Sequence, residues 1–395
     1  MIHPLKRTVL TALALGTVIG TGAMALSWSG ETRRAESLGQ LIGELEAGRQ
    51  AAPVMREALY GETTEGSAWE HYALALECVS EIEDHHMPCR DMAIADTDEN
   101  RAAVTELLGK TGSLFDHLKR GAHARDATPH LDWDAGIYAK VIRLIESRSM
   151  AQLVQVHAYR LITEGRSVEA VQAILDMQQF AGDAMMCSTQ IEEMIGCAFV
   201  SPEHFRCTPV QGAPGLSDEG KQVWLDGIRK LKAQIPSVGR SYEGEIELLA
   251  RHVHAGEDLM HISWISGSPG WRYGFSWEAA LTEHLLEAHG NSSAYHAAME
   301  SPDGLAALAQ MDEAAQSSPN PATRDVRHFQ SLAISRRYAF MRLGFVEHAL
   351  ALDLGLPSEL PTNPQGHPVT VDATEELLRV TSNEPNGFIR FELRR

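Results

Sequence analysis

The sequence predicts a mainly α protein: an irregular helix-hairpin solenoid or bundle with tetratricopeptide-like pairs, closed by a small C-terminal β-meander. Three observations carry this. From Ser37 to about Gly355 apolar residues recur at helical spacing and strand-like alternation is scarce. Residues 149–184 read as two helices joined by a short turn. After Leu354 prolines gather, and two short alternating runs follow. With 395 residues the chain exceeds what one core usually fills, so several packed units are expected. The composition shifts divide it into residues 1–30, a helical half at 31–208, a second helical half at 209–354 and a β tail at 355–395.

The first unit reads as an export segment. Lys6 and Arg7 precede a run from Thr8 to Gly30 that carries no charge. Two fates stay open. Ala23-Met24-Ala25 is a signal-peptidase-like site near Ala25, or residues 8–28 remain as a single membrane span, since about 20 apolar residues suffice. Both put the body outside the cytoplasmic membrane. The formal net charge is −19, and Lys6 and Arg7 contribute nothing to the body, which is therefore more acidic still. Such a field repels phosphate backbones, so nucleic acid is excluded as a partner.

Helices are predicted at 37–48, 67–83, 99–119, 135–147, 189–197, 217–233, 241–262, 276–289, 302–316 and 324–354, besides the pair at 149–184. In that pair Leu153, Val156, Leu161 and Ile162 form one apolar stripe, Gly165 stops the helix, Ser167 is placed to cap the next, and Val168, Val171, Ile174 and Leu175 resume the stripe. In the tail, Pro364 and Pro368 fix the backbone and Gly366 supplies a turn with positive φ. LLRVT and GFIRFEL follow as strands around the turn signal SNEPNG.

In an exported protein cysteines can form disulfides. Cys78 with Cys89, and Cys197 with Cys207, each bracket a short segment containing a proline, which leaves Cys187 over. Spacing does not fix the connectivity. No C-x-x-C is present, which removes support for thioredoxin-type redox chemistry and zinc ribbons.

Two segments are candidate sites. HVHAGEDLMH (252–261) gathers His252, His254, Asp258 and His261; imidazoles with a carboxylate suit a divalent metal such as zinc or iron. On one helix, however, His254 and His261 stand about 10.5 Å apart along the axis, too far for one ion. The metal reading therefore needs a ligand from another helix, such as His284; the other reading is a polar helix face. EHLLEAH (283–289) misses the H-x-x-E-H signature by one residue, and EIEDHHMPC (81–89) reads as a helix C-terminus or, alternatively, as a loop offering nitrogen and sulfur ligands together. The second segment is aromatic: Trp264, Trp271, Tyr273, Phe275 and Trp277 cluster among glycines as an interaction loop or a plug over the core. Calcium is not expected in the tail, where only Asp372 and Glu375 offer carboxylates.

SAWEHYALAL (67–76), the pair at 149–184 and the stretch from Tyr338 to Phe391 together resemble a family of exported or membrane-anchored bacterial helical proteins without an assigned function. The end resembles a pseudopilin tail, with Leu356-Pro357, then Asn363-Pro364-Gln365-Gly366-His367-Pro368, then Gly387-Phe388-Ile389-Arg390-Phe391. Asn363 stands where that pattern has an aspartate, and Phe391 takes the place of its last aromatic residue. The resemblance implies location and build and brings no catalytic residues.

No P-loop, dinucleotide-binding fingerprint, nucleophile elbow or H-E-x-x-H occurs. The expectation is an exported helical scaffold that binds another protein of the cell envelope, with no cofactor. The alternatives are a metal-dependent hydrolase with its His/Asp site between helices, and a pseudopilin-like component of a secretion system or filament.

Overall fold

A computed structural model describes residues 32–82, 98–200, 216–255, 276–301, 303–320, 329–375, 377–384 and 387–394. Thirteen helices lie among these residues: α1 (32–51), α2 (Ala68–Ser80), α3 (Asp98–Gly109), α4 (Leu114–His123), α5 (Leu144–Thr163), α6 (Ser167–Ala184), α7 (Gln190–Phe199), α8 (Asp218–Gln234), α9 (Ser241–His254), α10 (Ser276–Gly290), α11 (Ser292–Glu300), α12 (Gly304–Gln316) and α13 (Phe329–Asp353). The mainly α class with a C-terminal meander is thus the observed one. Strands β1 (Thr64–Ser67) and β2 (Ala124–Asp126) pair in parallel and were not foreseen. The predicted helix 99–119 is broken at Gly112, whose φ of +53° no continuing helix adopts. The predicted helix 135–147 is a 3₁₀ turn (Trp133–Tyr138) followed by the start of α5.

The hairpin α5–α6 closes through a Schellman turn. Gly165, at φ +77°, donates to Ile162, and Arg166 donates to Leu161 at 2.8 Å. Ser167 does not cap α6; it is the first residue of that helix, and its hydroxyl accepts from the amide of Ser217 just before α8. The centre of the main core is α6, packed by α4, α5, α7 and α8. From Ile174 to Ala184 every residue of it is buried, polar ones included. Most of those polar groups are paired, the Gln179 side-chain oxygen being the exception. Asp183 accepts from Arg56 Nε at 2.7 Å and Nη2 at 2.6 Å, and from Tyr72 and Gln179. Gln178 accepts from the Trp224 indole and donates to Val200. Asp176 accepts from Tyr60 at 2.8 Å, and burial pushes its carboxyl up to about 8. An unpartnered charge there would be costly, so the network fixes how these helices sit.

The long helix α13 joins this core to the tail. It packs on α7, α8 and α12, and strands β3 (Val369–Ala373), β4 (Leu377–Glu384) and β5 (Gly387–Arg394) form an antiparallel meander against it. Leu378 and Val380 pair with Leu393 and Phe391, and all four point inward at a period of two. Phe391 meets Trp224 of α8 edge-on. Gly366 has the expected positive φ of 80°, and Asn363 holds its turn by accepting from the Gln365 amide.

A second core joins α1 to α9–α13, through Leu38, Leu41, Leu45, Tyr242, Ile246, Leu285, Tyr295 and Ala333 among others. Arg336 of α13 stitches the two cores together. It is 1% exposed and donates to Met185 and Glu193 on one side and to Pro236 and Ser237 on the other.

Two expectations are corrected. Among the described residues no disulfide is formed: Cys78, Cys187 and Cys197 are free thiols. Cys78 faces the Ser113 hydroxyl, while Cys187 and Cys197 sit inside the main core, where burial raises both thiols. The membrane and transmembrane-helix expectation also fails among the described residues, where no helix is long and apolar enough to cross a bilayer. The longest, α13, carries Arg336, Arg337, Arg342, Glu347 and Asp353. Residues 8–28, Cys89 and Cys207 lie outside the described residues.

Candidate functional site

Helix α2 has two working faces. Ala68, Tyr72, Ala75 and Val79 recur every three or four residues and enter the main core. Trp69, Ala73, Leu76 and Ser80 repeat at the same spacing on a neighbouring face, with Glu70 and Glu77 beside them, and this face walls a groove of about 590 Å³. The facing wall is Pro129–Leu131 with Lys140–Arg143, and Cys187 and Glu192 also line the groove.

The walls are held firmly. Trp69 packs on Tyr72 and Phe180 and donates its indole N–H to the Ala127 carbonyl at 2.8 Å. His130 hydrogen-bonds the Ser67 hydroxyl at 2.9 Å, which ties the 129–131 wall to the start of α2. Opposite, the Glu192 carboxylate accepts from the Ile142 amide and the Thr189 hydroxyl, anchoring the strap before α5 to the start of α7. Burial moves the Glu192 carboxyl toward its protonated form and raises the Cys187 thiol, so the groove favours apolar matter there.

Exposed apolar residues adjoin the lining residues in sequence. Leu144 and Ile145 follow directly on the 140–143 wall and are 55% and 53% exposed. Ile191 and Met194 flank Glu192 on α7 and are 41% and 54% exposed. All four are large exposed apolar side chains that neighbour groove-lining residues in sequence. Charge sits around them in opposed pairs, with Glu70 and Glu77 on one wall and Lys140 and Arg143 on the other.

The described histidines weighed as metal ligands sit in separate surroundings. His252 is buried on α9 against Gly136 of the 3₁₀ turn. His254, the last residue of α9, is exposed beside Gly39 of α1. His284 is buried on α10, where desolvation pushes its imidazole down to about 4, a neutral ring at ordinary pH. Among the described residues no group of three His, Cys, Asp or Glu side chains is placed to hold a metal ion. Asp258, His261, Trp264, Trp271, Tyr273 and Phe275 lie outside the described residues, and Trp277 is placed only as a backbone position of α10. Sequence reading missed the groove, although one signal was present: the second stripe, Trp69, Ala73, Leu76 and Ser80, exceeds what a one-sided helix needs.

No protein-family model, no curated protein and no solved structure matches the chain.

Proposed function

We propose that this chain is an exported helical binding protein that seats an apolar segment of a partner protein in the groove beside α2. Export is supported by Lys6 and Arg7 followed by the uncharged run 8–30. The observation that carries the binding reading is the groove itself, continuous in sequence with the exposed Leu144, Ile145, Ile191 and Met194. Apolar anchors seated in such a groove supply the binding energy, and the opposed charges on its walls fix direction. Burying one aliphatic anchor contributes about 1.5–3 kcal/mol, or roughly tenfold to a hundredfold in affinity.

The test is selection of a displayed random-peptide library on the purified body. Peptides with apolar anchors should be enriched on the wild-type protein and lost on Ala73→Trp, which fills the groove from an exposed helix position. Equal enrichment on both proteins, or none on either, would remove this reading.

A further inference from the structure

The C-terminal meander has two edges, and they differ. The order β3-β4-β5 leaves one side of β3 and one side of β5 without a strand neighbour. β5 packs on α13 and carries Arg390, Glu392 and Arg394 at every second position. Charge at that spacing discourages a further strand. β3, with the sequence VTVDA, has no lysine, no internal proline and an unbroken register with β4, so the usual protections of an edge are missing. Thr370, Val371, Asp372 and Ala373 are all exposed.

The hairpin turn fixes which backbone groups of β3 are free. Thr374 donates to the Leu377 carbonyl at 2.8 Å, so these two residues face each other as a hydrogen-bonded pair. Along an antiparallel ladder bonded and non-bonded pairs alternate. Asp372 opposite Arg379 and Thr370 opposite Thr381 are therefore the bonded pairs of β3 with β4. Val369, Val371 and Ala373 turn their N–H and C=O groups the other way, and among the described residues none of these groups bonds elsewhere. The side chains of the same three residues share the sheet face of Ser382, Val380 and Leu378, which is the buried face. α13 packs on β4 and β5, and the apolar face runs on past it, leaving Val371 37% exposed.

We propose that two copies of this chain pair through β3, antiparallel about a twofold axis at Val371, so that their three-stranded meanders join into one sheet. That register sets Val371 opposite Val371 and Val369 opposite Ala373, and each facing pair exchanges two hydrogen bonds between the outward backbone groups. The apolar side chains of both strands form one stripe across the axis. The charges also fit a second copy. On the outer face Glu392, Arg379 and Asp372 stand in one row of alternating sign, with Arg379 donating to Glu392 at 2.7 Å. Across the axis Asp372 meets Thr370 of the other copy, so no like charges are opposed. For a chain of formal net charge −19, this is a strand on which self-repulsion is small. Two strands of five residues make a limited contact, which belongs to the weak, reversible class.

The test is sedimentation equilibrium of the full chain, carried up to roughly millimolar concentration. A reversible monomer–dimer equilibrium is expected. Val371→Pro removes an N–H that faces only the other copy and leaves the β3–β4 ladder whole, so it should raise the dimer Kd about tenfold. Thr370→Lys, which extends the row of alternating charge across the axis, should lower Kd a few-fold, and Thr370→Asp should raise it a few-fold. Both changes at Thr370 are on an exposed edge and leave the core untouched, so they decide the matter if the proline variant misfolds. A chain that stays monomeric, or a dimer whose Kd ignores these substitutions or shifts alike in both Thr370 variants, overturns the proposal.

Discussion

Arg336→Met is the perturbation that most severely tests how the two cores are joined. The guanidinium spends its donors on four acceptors: Glu193 Oε1 at 2.6 Å, the Met185 and Ser237 carbonyls at 3.0 Å each, and the Pro236 carbonyl. Both charged side chains of the pair are 1% exposed. Methionine fills similar space and supplies none of those bonds, so the Glu193 carboxylate keeps only the Ser241 hydroxyl. An uncompensated buried charge of this kind costs about 3–5 kcal/mol. At roughly 2–4 °C per kcal/mol, Tm should fall by about 6 °C or more. Differential scanning calorimetry reads the change directly. Replacing both partners, Arg336→Met with Glu193→Leu, removes the stranded charge and should recover much of the loss. A single-variant loss below about 1 kcal/mol would refute the claim that Arg336 is the stitch between the cores.

Asp183→Asn should destabilise by a similar ~3–5 kcal/mol, since it strands Arg56 among carbonyls inside the main core, and urea unfolding measures it. Asp176 links stability to pH. Its carboxyl is raised to about 8, so between roughly pH 4 and 8 the folded state binds more protons than the unfolded state, and stability falls as pH rises. Asp176→Asn should flatten that decline in a Tm-against-pH series. The His296 imidazole is raised by its bond to Glu243, so the pair's contribution is fully present below pH ~6.5 and is lost as pH climbs through the folded value. Half-exposed, it contributes about 0.5 kcal/mol or less, and Glu243→Gln should lower the His296 midpoint in an NMR titration. Iodoacetamide should label Cys78 in the native protein, while Cys187 and Cys197 react only on unfolding, as peptide mass mapping would show.

Much of the architecture was legible from periodicity. The α5–α6 hairpin announced itself through two stripes and Gly165, and the β4–β5 hairpin through alternation around a turn signal. The misses have physical causes. The strands β1 and β2 are too short to show a period, and their pairing joins residues about sixty apart in sequence. The Ser167 hydroxyl was drawn into a tertiary bond with Ser217, which no local pattern displays. Cysteine spacing suggests disulfides only through the oxidising compartment that an export segment implies, whereas Cys187 and Cys197 are core residues. The groove was invisible for a related reason. It is assembled from segments distant in sequence, such as Trp69 with Ile142 and Glu192. Single-segment clusters such as HVHAGEDLMH stood out instead, and there the structure turns His252 and His254 toward different neighbours.

The most direct measurement is photocrosslinking in living cells from single photoreactive residues. One set replaces Leu144 or Ile145 on the groove rim, and a control replaces the exposed Arg166 on the α5–α6 turn. The account predicts one shared, discrete protein adduct from both rim positions, absent from position 166 and abolished by Ala73→Trp. The same adducts from all three positions, or rim adducts that survive the filled groove, would contradict it.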